Sequence, residues 1–142
     1  MATEQKKVVF CFGSNTHGIH GAGAAQHAYK HHGARWGMGY GHYGDSFAIP
    51  TKGCVRLSEE TGQFVIGEPL PLGDIYDYVG AFKAYARHHP ELTFKVTRIG
   101  CGLAGFTDAQ MSSLFIGAPL NCQFDEAWKI MMGNKYTYWG TM

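Results

Sequence analysis

The stretch Val8–Ala28, VVFCFGSNTHGIHGAGAAQHA, decides how the rest of the chain is read. It opens as an apolar run, Val8-Val9-Phe10-Cys11-Phe12, rich in β-branched and aromatic residues. It breaks at Gly13-Ser14-Asn15 and restarts at Gly21 as a run of small residues. Strand, glycine-rich loop, helix is the reading this pattern gives. That arrangement favours anions. The first turn of a helix carries unpaired N–H groups and the positive end of its dipole, and glycines let a phosphate approach the backbone. A tight strand-to-helix turn that binds nothing fits the same residues.

Working outward, the helix is expected from Gly21 to His32, stopping at Gly33. Arg35–Asp45 (RWGMGYGHYGD) is a second glycine-rich segment, laced with Trp36, Tyr40 and Tyr43. These rings could stack a base or plug the edge of the core. Ser46–Ile49 reads as a short strand ended by Pro50. Cys54–Leu57 and Gln63–Ile66 read either as a hairpin around Glu60-Thr61-Gly62 or as loop. Asp74–His88 is a helix with Ile75, Tyr78, Val79, Phe82, Tyr85 and Ala86 at helical spacing, capped by Gly73 or Asp74. Leu92–Thr97 is a strand that runs into Arg98–Phe106, RIGCGLAGF, a further glycine loop. Thr107 and Gln110 then form a capping-box pattern ahead of a helix whose inner face is Met111, Leu114 and Phe115. The first motif is thus repeated. Phe124–Met132 is expected as a helix with Phe124, Trp128 and Met131 inward, and Lys135–Trp139 as an edge strand. Alternating strands and helices imply an α/β fold, with ligands beyond the carboxyl ends of the strands.

The 142 residues imply one domain, 1–142, large enough to bury a core. Net charge is +1 and no Lys/Arg block occurs, so no nucleic-acid surface is expected. Met1–Lys6 is polar and reads as frayed. None of the four cysteines forms a C-x-x-C pair. With no signal-like start and no apolar run of membrane length, the expectation is a cytoplasmic protein with reduced thiols.

Four segments together resemble a macro domain, and the small macro-like proteins encoded by phages. They are Phe12–Asn15, His20–Ala25, Gly44–Thr51 (GDSFAIPT) and Val96–Phe106 (VTRIGCGLAGF). The resemblance implies a three-layer α/β/α fold with a mixed sheet and an ADP-ribose-type ligand. It implies that Asn15 contacts the distal ribose and that Gly21, Ala22 and Gly23 cradle the diphosphate. Gly100, Cys101, Gly102, Leu103, Ala104 and Gly105 match the second phosphate loop, and Phe106 the aromatic beside the distal ribose. Ser14 and His20 adjoin these loops and complete the expected ligand-binding set. The chain also departs from the family's hydrolytic members. Ala24-Ala25-Gln26 replaces the acidic residue that follows the first loop in one type. The paired glutamates of another type are missing, and Ala104 stands where a third type has aspartate.

The polar groups in or beside the loops are His17, His20, Asp45 and Asp108. For cleavage of an ADP-ribosyl bond, His20 and Asp45 are the candidate catalytic groups, supplying proton transfer. The histidines equally serve as hydrogen-bond donors to phosphate or as loop caps, Asp45 as a turn cap and Asp108 as a dipole partner. Cys101 is read as a small residue in a tight loop, with a nucleophilic role as the alternative. His17 with His20, and His27 with His31, lack acidic or thiol companions, so no metal is expected, and no cofactor. The expected function is binding of an ADP-ribose-type nucleotide, which in a phage would sequester an NAD-derived signal of host defence in the host cytoplasm. A hydrolase of an ADP-ribosyl or ADP-ribose phosphate bond is the alternative, and a ligand-free interaction protein the third. The only partner implied is the nucleotide, with no membrane and with oligomerisation left open.

Overall fold

β1 (Lys7–Asn15) is the strand on which the others are hung. The computed structural model describes residues 7–57 and 59–142, so the polar Met1–Lys6 segment lies outside the described residues. Val9 to Phe12 are all buried, because both faces of this strand are covered. Parallel neighbours flank it: β3 (Ser46–Arg56) on one side and β5 (Leu92–Val96) on the other. β6 (Cys122–Asp125) and β7 (Thr137–Gly140) extend the parallel run beyond β5. On the far side of β3, β2 (Gly41–Tyr43) and β4 (Phe64–Pro69) pair antiparallel with its first and second halves. The result is a mixed seven-stranded sheet in the order β2-β3-β1-β5-β6-β7, with β4 beside β3.

Helices lie on both faces, giving the three-layer α/β/α fold. α1 (Gly23–His31) covers one face, where Ala25 and Ala28 pack on Phe10, Phe12 and Ala48. Their small side chains let the helix lie close to the sheet. α2 (Leu72–Arg87) and α3 (Asp108–Leu114) cover the other face and enclose the larger core. Ile75, Val79, Phe82 and Ala86 form the fully buried stripe of α2. The Phe82 ring meets Phe47, Phe94 and Phe115 at centroid distances of 5.0, 5.4 and 6.0 Å. Each such ring contributes roughly 2–3 kcal/mol by burial. No helix among the described residues is long and apolar enough to cross a membrane.

Several expectations need correction. α1 starts at Gly23 rather than Gly21, with Ala22 extended at its cap. α2 starts at Leu72 after Pro71, so neither Gly73 nor Asp74 caps it, and Asp74 instead sits in its first turn. Pro50 does not end its strand. β2 is registered with β3 only as far as Ala48, and β4 only from Lys52 onward. Phe10 N–H donates to the Asp45 carbonyl, which turns the odd-numbered residues of the first part of β3, through Ile49, toward β1. The Pro50 nitrogen therefore faces the interval between β2 and β4, where a missing N–H breaks no rung. The hairpin around Glu60–Gly62 is formed, with Arg56 opposite Phe64.

The single helix expected over Phe124–Met132 is not formed. Cys122–Asp125 is a strand in register with Phe94–Val96. The Asp125 carboxylate then accepts from Ala127 N–H at 2.9 Å and caps a 3-10 turn, Glu126–Trp128. Only Lys129–Met132, α4, is α-helical there. Phe124 and Trp128 are in the core as expected, whereas Met131 is exposed.

Candidate functional site

After β1 the chain turns to α1 on one face, and after β5 it turns to α3 on the other. The carboxyl ends of these adjacent strands therefore form a topological switch point, where open α/β sheets bind ligands. A crevice of about 590 Å³ opens there. Gly13, Ser14 and Asn15 make its floor, Ala22–Ala25 one wall and Thr97–Ala104 the other. Thr97 Oγ1 donates to the Cys11 carbonyl at 2.8 Å, tying the second loop to β1.

Both walls present open backbone donors. No side chain caps α1, so the N–H groups of its first turn, Gly23 to Ala25, remain for a ligand. In the second loop three amides are spent internally. Cys101 donates to Arg98, Gly105 to Gly102 and Phe106 to Gly100, at 2.9–3.1 Å. Those of Gly100, Gly102, Leu103 and Ala104 have no partner among the described residues. The N-terminus of α3 is closed by the expected capping box, in which Gln110 N–H donates to Thr107 Oγ1 and Thr107 N–H to Gln110 Oε1. The second cradle is thus the loop and not the helix. Ser14 Oγ, buried on the crevice floor, also lacks a partner among the described residues.

Charge follows the same sense. Arg98 and Lys52 line the crevice, and among the described residues no Asp or Glu side chain does. Arg98 is oriented by a two-point contact with Asp108, at 2.8 and 2.6 Å. The guanidinium holds the Asp108 carboxyl down to about 2, assisted by the indole N–H of Trp128. A carboxyl held below its unfolded value near 4 stabilises the fold above that value and loses this contribution as pH falls toward 2. Asp108→Asn should therefore cost about 1–2 kcal/mol at pH 7. The gap to wild type should close between pH 4 and pH 2, measured by urea unfolding at stepped pH.

The expected site residues divide as follows. Ser14, Asn15, Ala22, Gly23 and Gly100–Ala104 are brought together on the crevice, and Gly21 adjoins it with open space around its Cα. Asn15 is largely spent on its own loop. Its Oδ1 accepts from Ile19 N–H at 2.9 Å, and its Nδ2 donates to the Ile19 carbonyl at 2.8 Å, leaving one N–H for a ligand. Gly105 and Phe106 lie beyond the lining, and Phe106 packs against the large core. Cys101 lines the crevice, but burial and then Asp108 push its thiol up to about 12, so no thiolate nucleophile forms at neutral pH.

His20 and Asp45 are not brought to the crevice. His20 is 1% exposed, edge-on to Phe12 at 5.4 Å. Its Nε2 lies 2.9 Å from the Arg35 carbonyl and so carries the proton, and burial lowers its pKa. Its role is to hold the Arg35 segment against β1. Asp45 precedes β3 at the opposite end of the sheet, pairing with Lys7 at 3.0 Å. Two glycines of Arg35–Asp45 serve packing: a Cβ on Gly39 would come within 1.9 Å of the Asn15 carbonyl oxygen, and one on Gly44 within 2.9 Å of the Gly33 Cα. Tyr40 plugs the core edge against Phe47 and Tyr78, while Trp36 stands exposed. Lys52, Thr51 and Ile66 were not singled out from sequence. Thr51 ends the GDSFAIPT block and Lys52 follows it, the only signal that could have marked them.

No family model matches this chain, and no curated protein matches it. Two solved structures from Bacteroides thetaiotaomicron share its fold. One, described as a protein of unknown function, is 13% identical with a TM-score of 0.57, over 86% of this chain and 88% of its own. The other, a structural-genomics target, is 13% identical with a TM-score of 0.55, over 88% of this chain and 93% of its own. At that identity the likeness concerns the fold alone.

Proposed function

We propose that this chain is a macro-like protein that binds an ADP-ribose-type nucleotide, with the diphosphate between α1 and the loop after β5. The observation that carries the reading is the convergence of two sets of unpaired amides on one crevice lined by Arg98 and Lys52 and by no Asp or Glu side chain among the described residues. A diphosphate has acceptors on both phosphoryl groups and needs donors from two sides. The four segments of resemblance, two of which supply these walls, support the same ligand. Binding without turnover is preferred to hydrolysis, because neither His20 nor Asp45 lies on the crevice and no His, Asp or Glu side chain among the described residues lines it. In a phage-infected cytoplasm, such a protein would sequester an NAD-derived signal of host defence.

Calorimetric titration with ADP-ribose should give one saturable site, and a hundredfold excess over Kd should raise Tm by roughly 5–10 °C. Absence of both heat and thermal shift would overturn the proposal.

A further inference from the structure

The crevice does not end at Asn15. Ile19 and Ile66 also line a neighbouring apolar annex of about 530 Å³ bounded by Trp36, Gln63, Phe64 and Val65. Going outward across the sheet, the order is β5, β1, β3 and β4. The annex thus lies on the β4 side, away from the loop that carries Arg98. Two aromatic rings, Trp36 and Phe64, stand in its lining. Trp36 is 52% exposed, an unusual state for so large a ring. It is nevertheless fixed in place. Tyr29 meets it near-perpendicular at 5.5 Å and the buried His20 at 6.2 Å. Its loop is tied down by Gly37 N–H donating to the Gly18 carbonyl at 2.9 Å. Opposite, Phe64 is backed by His17, stacked at 4.2 Å, and by Arg56 at 5.5 Å. An exposed ring held rigid beside an apolar hollow is pre-organised to stack another ring.

We propose that the annex receives a second heteroaromatic ring of the ligand, so that the preferred ligand is a diphosphate-linked dinucleotide. This rests on the nucleotide reading above. The diphosphate would lie between the two loops, and the ring at the β4 end would stack on Trp36, with Phe64 bounding the hollow beside it. Lys52, on β3 in the crevice lining, forms no ion pair with a described residue and stays open to the ligand's connecting segment.

The probes are ADP-ribose, which ends in a bare sugar, and diadenosine diphosphate, which carries a second base. By calorimetry the dinucleotide should bind about tenfold or more tightly than ADP-ribose, the usual effect of one stacked base. Trp36→Ala and, separately, Phe64→Leu should remove that advantage and leave ADP-ribose affinity within about twofold. Quenching of tryptophan fluorescence by the dinucleotide should vanish in Trp36→Ala. Equal affinities for the two probes, unmoved by either substitution, would overturn the annex proposal and leave nucleotide binding intact. Failure of both probes to bind overturns the nucleotide reading and this inference with it.

Discussion

Ala24→Asp is expected to abolish ADP-ribose binding while leaving Tm unchanged or slightly raised. Ala24 is the second residue of α1, half-buried and on the crevice wall. A carboxylate there meets the positive end of the helix dipole, which stabilises a helix by about 0.3–1 kcal/mol. The same charge would stand beside the proposed diphosphate. Each like-charge pair at about 4 Å opposes binding by about 1 kcal/mol in water and about 4 kcal/mol near a protein surface. Against two phosphoryl charges the loss of affinity should exceed roughly 100-fold. Ala24→Asn has nearly the same shape without the charge and should lose less than about tenfold. Calorimetry and thermal melts on both variants make the comparison. If Ala24→Asp binds like wild type, the anion does not sit at α1.

The expectation for Ala24 is unusual in that stability and function are predicted to move apart, and this reflects how the sequence encodes each. The fold was legible wherever a single periodicity governs a segment. α2 shows its buried stripe at 3.6-residue spacing, and β1 is an apolar run because both its faces are covered. The Thr107 capping box is a local pattern with a local cause. Misreadings arose where tertiary pairing overrode local pattern. Phe124 and Trp128 are four residues apart, as on a helix face, yet Cys122–Asp125 is drawn into the sheet by its rungs to β5. Pro50 breaks a strand by local rules, and it is tolerated because β3 changes outer partner around it.

The crevice was legible for a related reason. Glycine loops directly after β1 and β5 fall at one sheet edge once those strands are parallel neighbours. Which side chains face it was not legible, because that depends on the far half of the fold. His20 sits one residue before the first cradle in sequence, but the Arg35 carbonyl and the Phe12 ring draw it inward. Asp45 is near the loops only in motif order, since a parallel β3 puts its start at the opposite end of the sheet. Lys52, six residues beyond Ser46, reaches the crevice because β3 continues to Arg56, through the proline expected to stop it.

Gly100→Ala tests the second wall and should be the most damaging small substitution in the crevice. Gly100 is buried, with φ of +82°, a region where a side chain costs about 1–2 kcal/mol. A Cβ there would also lie 2.8 Å from Met111 Cε and 2.9 Å from its Sδ. Met111 is fully buried under α3, so it can move only by disturbing the core. Together these should destabilise the protein by about 2–4 kcal/mol. The free amides of Gly100 and of Gly102–Ala104 would be displaced, with ADP-ribose affinity falling more than about tenfold. The steric part is separable. Met111→Ala empties a core site and is destabilising alone, yet it should cost at least about 1 kcal/mol less when Gly100→Ala is already present, by urea unfolding of the four proteins. Strictly additive losses would mean that Met111 does not press on this loop. The backbone torsion would then be the whole reason for a glycine, and Gly100→Asn, which tolerates positive φ better, should recover part of the lost stability.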